Sequence, residues 1–208
     1  MRVIAGEAKG RTLVAPRGSA TRPASDRIRE TLFAILEPRL EGASVLDLFA
    51  GAGTLGVEAL SRGAARATFV ERAPAAAAAI RANLAATRLA DRAEVVVADV
   101  ERYLARAAAS PDGAGIAGAL PAVRAAGSGT SGFDLVFCDP PFADVAGAEA
   151  CLAHPGLRAA LGAGAQVIVR ALRKHLPALP PNVAVLRRRE LGEETLLFLG
   201  YDGAGGGG

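Results

Sequence analysis

The sequence predicts an α/β fold, a Rossmann-like parallel sheet with helices on both faces, and three observations carry the prediction. Short apolar runs alternate with helical segments from residue 44 to residue 170, the pattern of repeated strand–helix units. A glycine-rich turn, Gly51-Ala-Gly53-Thr-Leu-Gly56, follows the first of these runs. Two further runs, 183–189 and 195–201, close the chain as an antiparallel pair about Leu191-Gly-Glu-Glu194.

The elements follow in order. Residues 2–5 and 12–15 read as extended segments joined through 6–10, whose glycines at both ends suit a hairpin. Ser25 is a good N-cap for a helix with Ile28, Leu32, Ile35 and Leu36 on one face, and Pro38 stops it. Strands are expected at 44–49, 67–71, 94–98, 133–138 and 165–170. Helices are expected at 54–62, 74–88 (with Pro74 in its first turn), 100–109 and 145–161. Residues 110–132 are rich in Gly, Ala, Ser and Pro without either period, and read as a flexible insertion; 203–208 read as a disordered tail.

Composition excludes several classes. The chain has 208 residues, 51% of them hydrophobic, which suits one domain with a full core. Cys138 and Cys151 have no Cys-x-x-Cys spacing, and His154 and His175 stand apart from them, so neither a disulfide framework nor a metal site is expected. No apolar run approaches membrane-spanning length and the N-terminus has no apolar signal core, so a cytoplasmic protein is expected, with no membrane partner.

Charge is unevenly placed. Residues 1–40 carry eight basic side chains against four acidic ones, and the remainder carries 16 against 17. The positive excess therefore sits in the first 40 residues, as expected of a polyanion-binding extension on a near-neutral body at 41–202. A solvated basic hairpin is the alternative.

The glycine-rich turn satisfies Gly-x-Gly-x-x-Gly, and Glu71 lies where a ribose-binding acid would stand. A nicotinamide oxidoreductase is therefore one reading. Asp47 argues against it, because a carboxylate at that strand end repels pyrophosphate, which such turns bind through bare amides. It suits instead the cationic amino-acid end of S-adenosylmethionine, unless it merely caps the turn. Asp99 ends the third strand, where it could accept the adenine amine or cap the next helix. Asp47, Glu71 and Asp99 at three successive strand ends match the amine, ribose and adenine of S-adenosylmethionine.

The fourth strand runs into Asp139-Pro140-Pro141-Phe142. An exocyclic amino nitrogen is a poor nucleophile, its lone pair being delocalised into the ring. If the Asp139 carboxylate and the Pro140 carbonyl each accept one N–H, the lone pair can turn toward a methyl group. Consecutive prolines fix the backbone for this, and Phe142 offers a flat face on which a base can stack. Adenine-N6 and guanine-N2 chemistry both remain open on this motif.

Together these residues resemble the bacterial 16S ribosomal RNA guanine-N2 methyltransferases of the RsmD type. The resemblance runs through Arg2–Gly6, Lys9–Leu13, Arg22–Phe33, Leu46–Gly56, Glu58–Gly63, Glu71 and Asp139–Phe142. It implies a seven-stranded class I S-adenosylmethionine-dependent methyltransferase fold with an N-terminal β-hairpin extension. It also implies a monomeric enzyme acting on 16S rRNA in small-subunit particles. Donor contacts are expected at Asp47, Phe49, Gly51, Gly53, Glu71 and Asp99, catalytic contacts at Asp139, Pro140 and Phe142, and RNA contacts at Lys9, Arg11, Arg22 and Arg29. For Arg22 and Arg29 a salt-bridged helix face is the alternative, Asp26 and Arg29 being i,i+3 neighbours. The chain departs from the family at Ala24, Ala34, Leu191 and the long 110–132 segment, and at Arg170, where an acid is frequent.

Overall fold

The computed structural model describes residues 1–16, 25–109 and 132–202. Arg22, the insertion except Gly132, and the 203–208 tail lie outside these residues. The chain forms two compact units, Met1–Asp99 and Val100–Gly208.

In the first unit, three strands pair in parallel, in the order β3 (Ala93–Val97), β2 (Arg66–Glu71), β1 (Ser44–Leu48). All five residues of β1 are buried, as the apolar run of a strand covered on both faces requires. Helix α1 (Asp26–Leu36) begins where Ser25 accepts the Ile28 N–H, and buries Ile28, Leu32, Phe33 and Leu36. Pro38 does not end the chain's helical course at once. It sits in a short 3-10 turn, Glu37–Arg39, that follows α1. Helix α2 (Thr54–Ser61) packs on β1 and β2, and α3 (Pro74–Thr87) on β2 and β3.

The N-terminal hairpin is present but less regular than expected. Its two arms meet in one antiparallel bridge, Arg2 to Thr12, with Val3 and Arg11 joined through the backbone. Besides its few backbone bonds, three side chains of the same unit hold it. Glu58 Oε2 and Oε1 accept the Ile4 and Ala5 N–H groups at 2.8 and 3.0 Å. Ser61 accepts from Ala8 and donates to the Ala5 carbonyl. Asn83 bonds both backbone groups of Val14.

Glu58 is fully buried and also receives Arg29 Nη1 at 3.5 Å and Arg62 Nε at 2.8 Å. Here the expectation for Arg29 needs correction. Its side chain is 0% exposed, and Nη2 donates to Asp26 at 2.7 Å and to the Arg2 carbonyl at 2.8 Å. A buried guanidinium with these partners cannot reach an RNA phosphate; the alternative of a salt-bridged helix residue holds. The Arg29 hydrogen bond keeps the Asp26 carboxyl below its ordinary pKa. Lys9 and Arg11 are exposed.

In the second unit, β4 (Phe133–Cys138) pairs in parallel with β5 (Leu161–Leu172). Strand β7 (Glu194–Tyr201) is antiparallel to β5 on one side and to β6 (Val183–Leu191) on the other. The expected terminal pair is therefore found, and Gly192, at φ +64, supplies the turn. Helix α4 (Val100–Ala108) packs on α5 (Val145–Ala153) and α6 (Pro155–Ala160).

Two expected boundaries shift here. The single helix expected over 145–161 is broken, because Pro155 has no N–H to continue it, and His154 Nδ1 caps a second helix at Gly156. Strand β5 starts at Leu161 rather than 165, through an irregularity in its register with β4. Arg170 lies within β5, which runs on to Leu172.

Burying a carboxylate without its cations costs several kcal/mol. Glu58→Ala should leave buried Arg29 with Asp26 as its remaining carboxylate and release the hairpin, lowering unfolding free energy by about 3 kcal/mol, measured by urea denaturation. Deleting residues 1–15 should lower the melting temperature as well, because it removes every hairpin partner of Glu58, Ser61 and Asn83. A truncated protein that melts like the full chain would show the hairpin to be a mere appendage.

Candidate active site

In the first unit, β1 ends at Leu48 and the chain turns sharply. Phe49 adopts φ +59, rare for a residue with a side chain, followed by Gly51 at +57 and Gly53 at +74. Each step of the turn is tied down. Ala50 N–H donates to the Val70 carbonyl, and Gly53 N–H to the Ala50 carbonyl. Gly51 N–H donates to Glu71 Oε2 at 2.8 Å, and Gly56 N–H to Asp47 Oδ2 at 3.0 Å. The Asn83 amide donates to the Ala52 carbonyl at 2.9 Å.

The three glycines have different reasons. A Cβ at Gly56 would lie 2.3 Å from the Phe69 ring, so only glycine lets α2 approach β2. Gly53 combines its left-handed φ with Ile80 and Phe69 just beyond 3 Å. A Cβ at Gly51 would meet only the Phe49 carbonyl oxygen, at 4.0 Å, so the space beside that backbone is open.

The acids at the strand ends differ too. Asp47 is buried and braces the turn from within. Glu71 is half-buried, and its Oε1 also accepts the Ala73 N–H at 2.8 Å. Each of its oxygens keeps a second lone pair for another donor. Asp99 is exposed, directly ahead of α4. Asn83 was not singled out from the sequence. The only signal for it was a polar amide in an otherwise Ala-rich helix, and it fastens both the turn and the hairpin.

In the second unit, β4 delivers Asp139 directly into Pro140-Pro141-Phe142. The Pro141 carbonyl accepts the Asp144 N–H at 2.7 Å, closing a turn with Phe142 at its centre. Asp144 then caps α5 through the Gly147 N–H. Arg170, on the neighbouring β5, reaches both chemical groups of this loop. Its Nε donates to Asp139 Oδ1 at 2.8 Å and its Nη2 to Oδ2 at 3.0 Å, a bidentate fork. Its guanidinium carbon lies 4.6 Å from the Phe142 ring centroid. Nη1 donates to Glu194 Oε2 at 3.0 Å.

Burial raises the pKa of Asp139, and Glu194 adds to the rise, while Arg170 pulls against it. For Arg170, burial opposes the charge, yet the Asp139 and Glu194 carboxylates together outweigh it and raise its pKa. The sequence marked Arg170 only as a departure from a family pattern, without its partners. Behind Asp139, Cys138 and Cys151 are buried free thiols; the hydrogen bond between them and burial push the Cys138 thiol well up, so it is unreactive. Among the described residues no cluster of metal-ligating side chains occurs, and no helix is long and apolar enough to cross a membrane.

Comparison with known proteins places the chain. Residues 1–116 and 113–200 match the family described as conserved hypothetical protein 95. Ribosomal RNA small subunit methyltransferase D of Escherichia coli K12 is 39% identical over 142 residues, 68% of this chain and 60% of that protein. YlbH of Bacillus subtilis, provisionally named an rRNA methyltransferase, is 39% identical over 142 residues, 68% of this chain and 67% of that one. The matched segment thus spans about 60–67% of these relatives' lengths. The structure of yhhF from Escherichia coli, provisionally named a methyltransferase, aligns over 96% of both chains with TM-score 0.70 and 31% identity. With the strand–helix order, the glycine turn and the Asp139–Phe142 loop, these matches fix the α/β methyltransferase fold, and the chain belongs to the conserved hypothetical protein 95 family of methyltransferases.

Proposed function

We propose that this protein transfers a methyl group from S-adenosylmethionine to the exocyclic N2 of a guanine in 16S rRNA, in the cytoplasm and on small-subunit particles. The observation that carries the reading is the disposition of Asp139 and Phe142 about one planar N–H group. Arg170 donates to both Asp139 oxygens while lying over the Phe142 ring. A carboxylate and an aromatic face so arranged can grip an amino-bearing base by its edge and its face together.

The turn of the first unit fits the donor better than a dinucleotide. Open backbone at Gly51 allows close approach, but the carboxylate of Asp47 beneath the turn would repel a pyrophosphate. Asp47, Phe49, Gly51, Gly53, Glu71 and Asp99 are the residues that would hold S-adenosylmethionine. When bound, the donor supplies a methyl group on a sulfonium, already a good leaving group. The chain's task is therefore largely positioning. Asp139 and the Pro140 carbonyl accept the amine's N–H groups, and Phe142 holds the ring plane. Exposed Lys9 and Arg11 on the hairpin would meet RNA phosphate. The homologue named ribosomal RNA small subunit methyltransferase D supports the RNA and the subunit.

Incubating the full chain with labelled donor and unmodified small-subunit particles should yield N2-methylguanosine on nucleoside analysis. N6-methyladenosine instead would favour the adenine alternative, and tight NAD binding without donor binding would sink the reading. Asp139→Ala should lose at least about 100-fold in turnover, since it removes a transition-state contact, with donor affinity retained in calorimetry. Phe142→Tyr should keep much of the activity that Phe142→Ala loses.

The pH profile follows from burial of Asp139. Only the ionised carboxylate accepts on both oxygens, and its pKa is raised. Activity should therefore fall as pH drops through a value above the ordinary Asp range, and this acid limb should vanish in Asp139→Asn. A limb at the ordinary Asp value, or one that persists in Asp139→Asn, would remove Asp139 from that role.

A further inference from the structure

We propose that the Arg170 guanidinium holds the place of the target base in the enzyme without RNA, and that guanine enters by taking Asp139 and the Phe142 face from it. The inference rests on the guanine reading above and extends it to the side chain that must move.

The argument is one of shape. In guanine the atoms N1, N2 and N3 about C2 form a guanidine unit, whose N1–H and one N2–H leave one edge in parallel. Arg170 presents the same two parallel donors, Nε–H and Nη2–H, to the two oxygens of Asp139 at 2.8 and 3.0 Å. The carbon of the guanidinium that makes this fork lies over the Phe142 ring, 4.6 Å from its centroid. Two of the three groups assigned to the target, Asp139 and Phe142, are thus engaged at rest, by a side chain with the target's own donor pattern. Adenine lacks that pattern, because its N6–H stands beside the N1 acceptor, which would face an ionised carboxylate oxygen. The place that Arg170 fills is therefore shaped for guanine.

Displacement is feasible in the same geometry. Nη1 already bonds Glu194 Oε2 at 3.0 Å, so the guanidinium keeps an anion when it gives up Asp139. A small open cleft, lined by Phe142, Asp144, Val145, Arg170, His175 and Pro177 among others, adjoins it on the solvent side. The exchange sets a threshold. A base must bring enough binding from the rest of the RNA to break a charge-assisted fork.

The test uses Arg170→Ala, with Arg170→Gln as a second variant that fills more of the space should the first not fold. Removing the competitor should lower KM for unmodified small-subunit particles by about tenfold, the worth of a hydrogen bond to a charged group. Added methylguanidine should refill the place. It should bind the Ala variant in calorimetry without RNA, compete with RNA there and raise KM back, and leave wild type unaffected. The Asp139→Ala/Arg170→Ala double variant should not bind it. A KM that is unchanged or raised with kcat lowered, and turnover restored rather than inhibited by methylguanidine, would overturn the proposal and make Arg170 a positioning residue for Asp139. Absence of methylguanidine binding by either folded variant would overturn it too. Methylguanidine binding needs no RNA, and nucleoside analysis of the wild-type product reports the target separately, so failure here and failure of the guanine reading are told apart.

Discussion

One buried carboxylate organises the first unit. Glu58 lies on α2, the helix that the glycine turn opens, and it gathers four donors from three other parts of the chain: the Ile4 and Ala5 amides, Arg29 of α1, and Arg62 just beyond α2. Such an anion is tolerable in the interior only while all its partners stay in place. The hairpin, α1 and the helix that leaves the donor turn are therefore fixed relative to one another by a single charge. Asn83 adds a second tie, holding Val14 of the hairpin and Ala52 of the turn with one amide. The hairpin is thus part of what shapes the donor turn, while Lys9 and Arg11 still face solvent.

This arrangement changes the meaning of the N-terminal charge. The excess of basic residues over 1–40 is real, but charge counting treats every arginine as a surface group. Arg29 shows the limit of that treatment. It is consumed inside the unit by Asp26, which the count sets against it without regard to place, and by Glu58, which lies beyond the counted segment. Among the described residues of the segment, Lys9 and Arg11 keep their exposure, and electrostatic attraction to phosphate must fall on such exposed groups.

Where local physics decides, the sequence is readable. Ser25 caps α1 as its side chain and the following apolar spacing require, and β4 spans 133–138 as expected, because an apolar run ended by Asp-Pro-Pro has little alternative. The glycine turn was placed correctly, but not the separate reason for each glycine, since Phe69 and Ile80 press on it from elsewhere in the chain. The break at Pro155 and the early start of β5 were missed for a similar reason: a neighbouring strand and a histidine cap outweigh the helical pattern of 145–161. At the site, Asp139, Pro140 and Phe142 stand together in sequence and could be found. Arg170 is 31 residues from Asp139, and only strand pairing brings it there.

The Asp139–Arg170 pair also resolves a difficulty in the chemistry. A carboxylate that must accept an amine's protons has to be ionised, yet burial beside Glu194 pushes Asp139 toward its neutral form. With a base bound, the N–H donors stabilise the charge. Without one, a dry site would leave Asp139 either protonated or unpaired. Arg170 removes that choice by supplying the same two donors from within the chain, with Glu194 anchoring it at the other side. The site is then charged and ordered before the RNA arrives, and exchange of one planar donor for another needs no change of protonation at Asp139. His175 lines the adjoining cleft, but no base is called for, because the protein prepares the carboxylate by pairing it, not by titrating it.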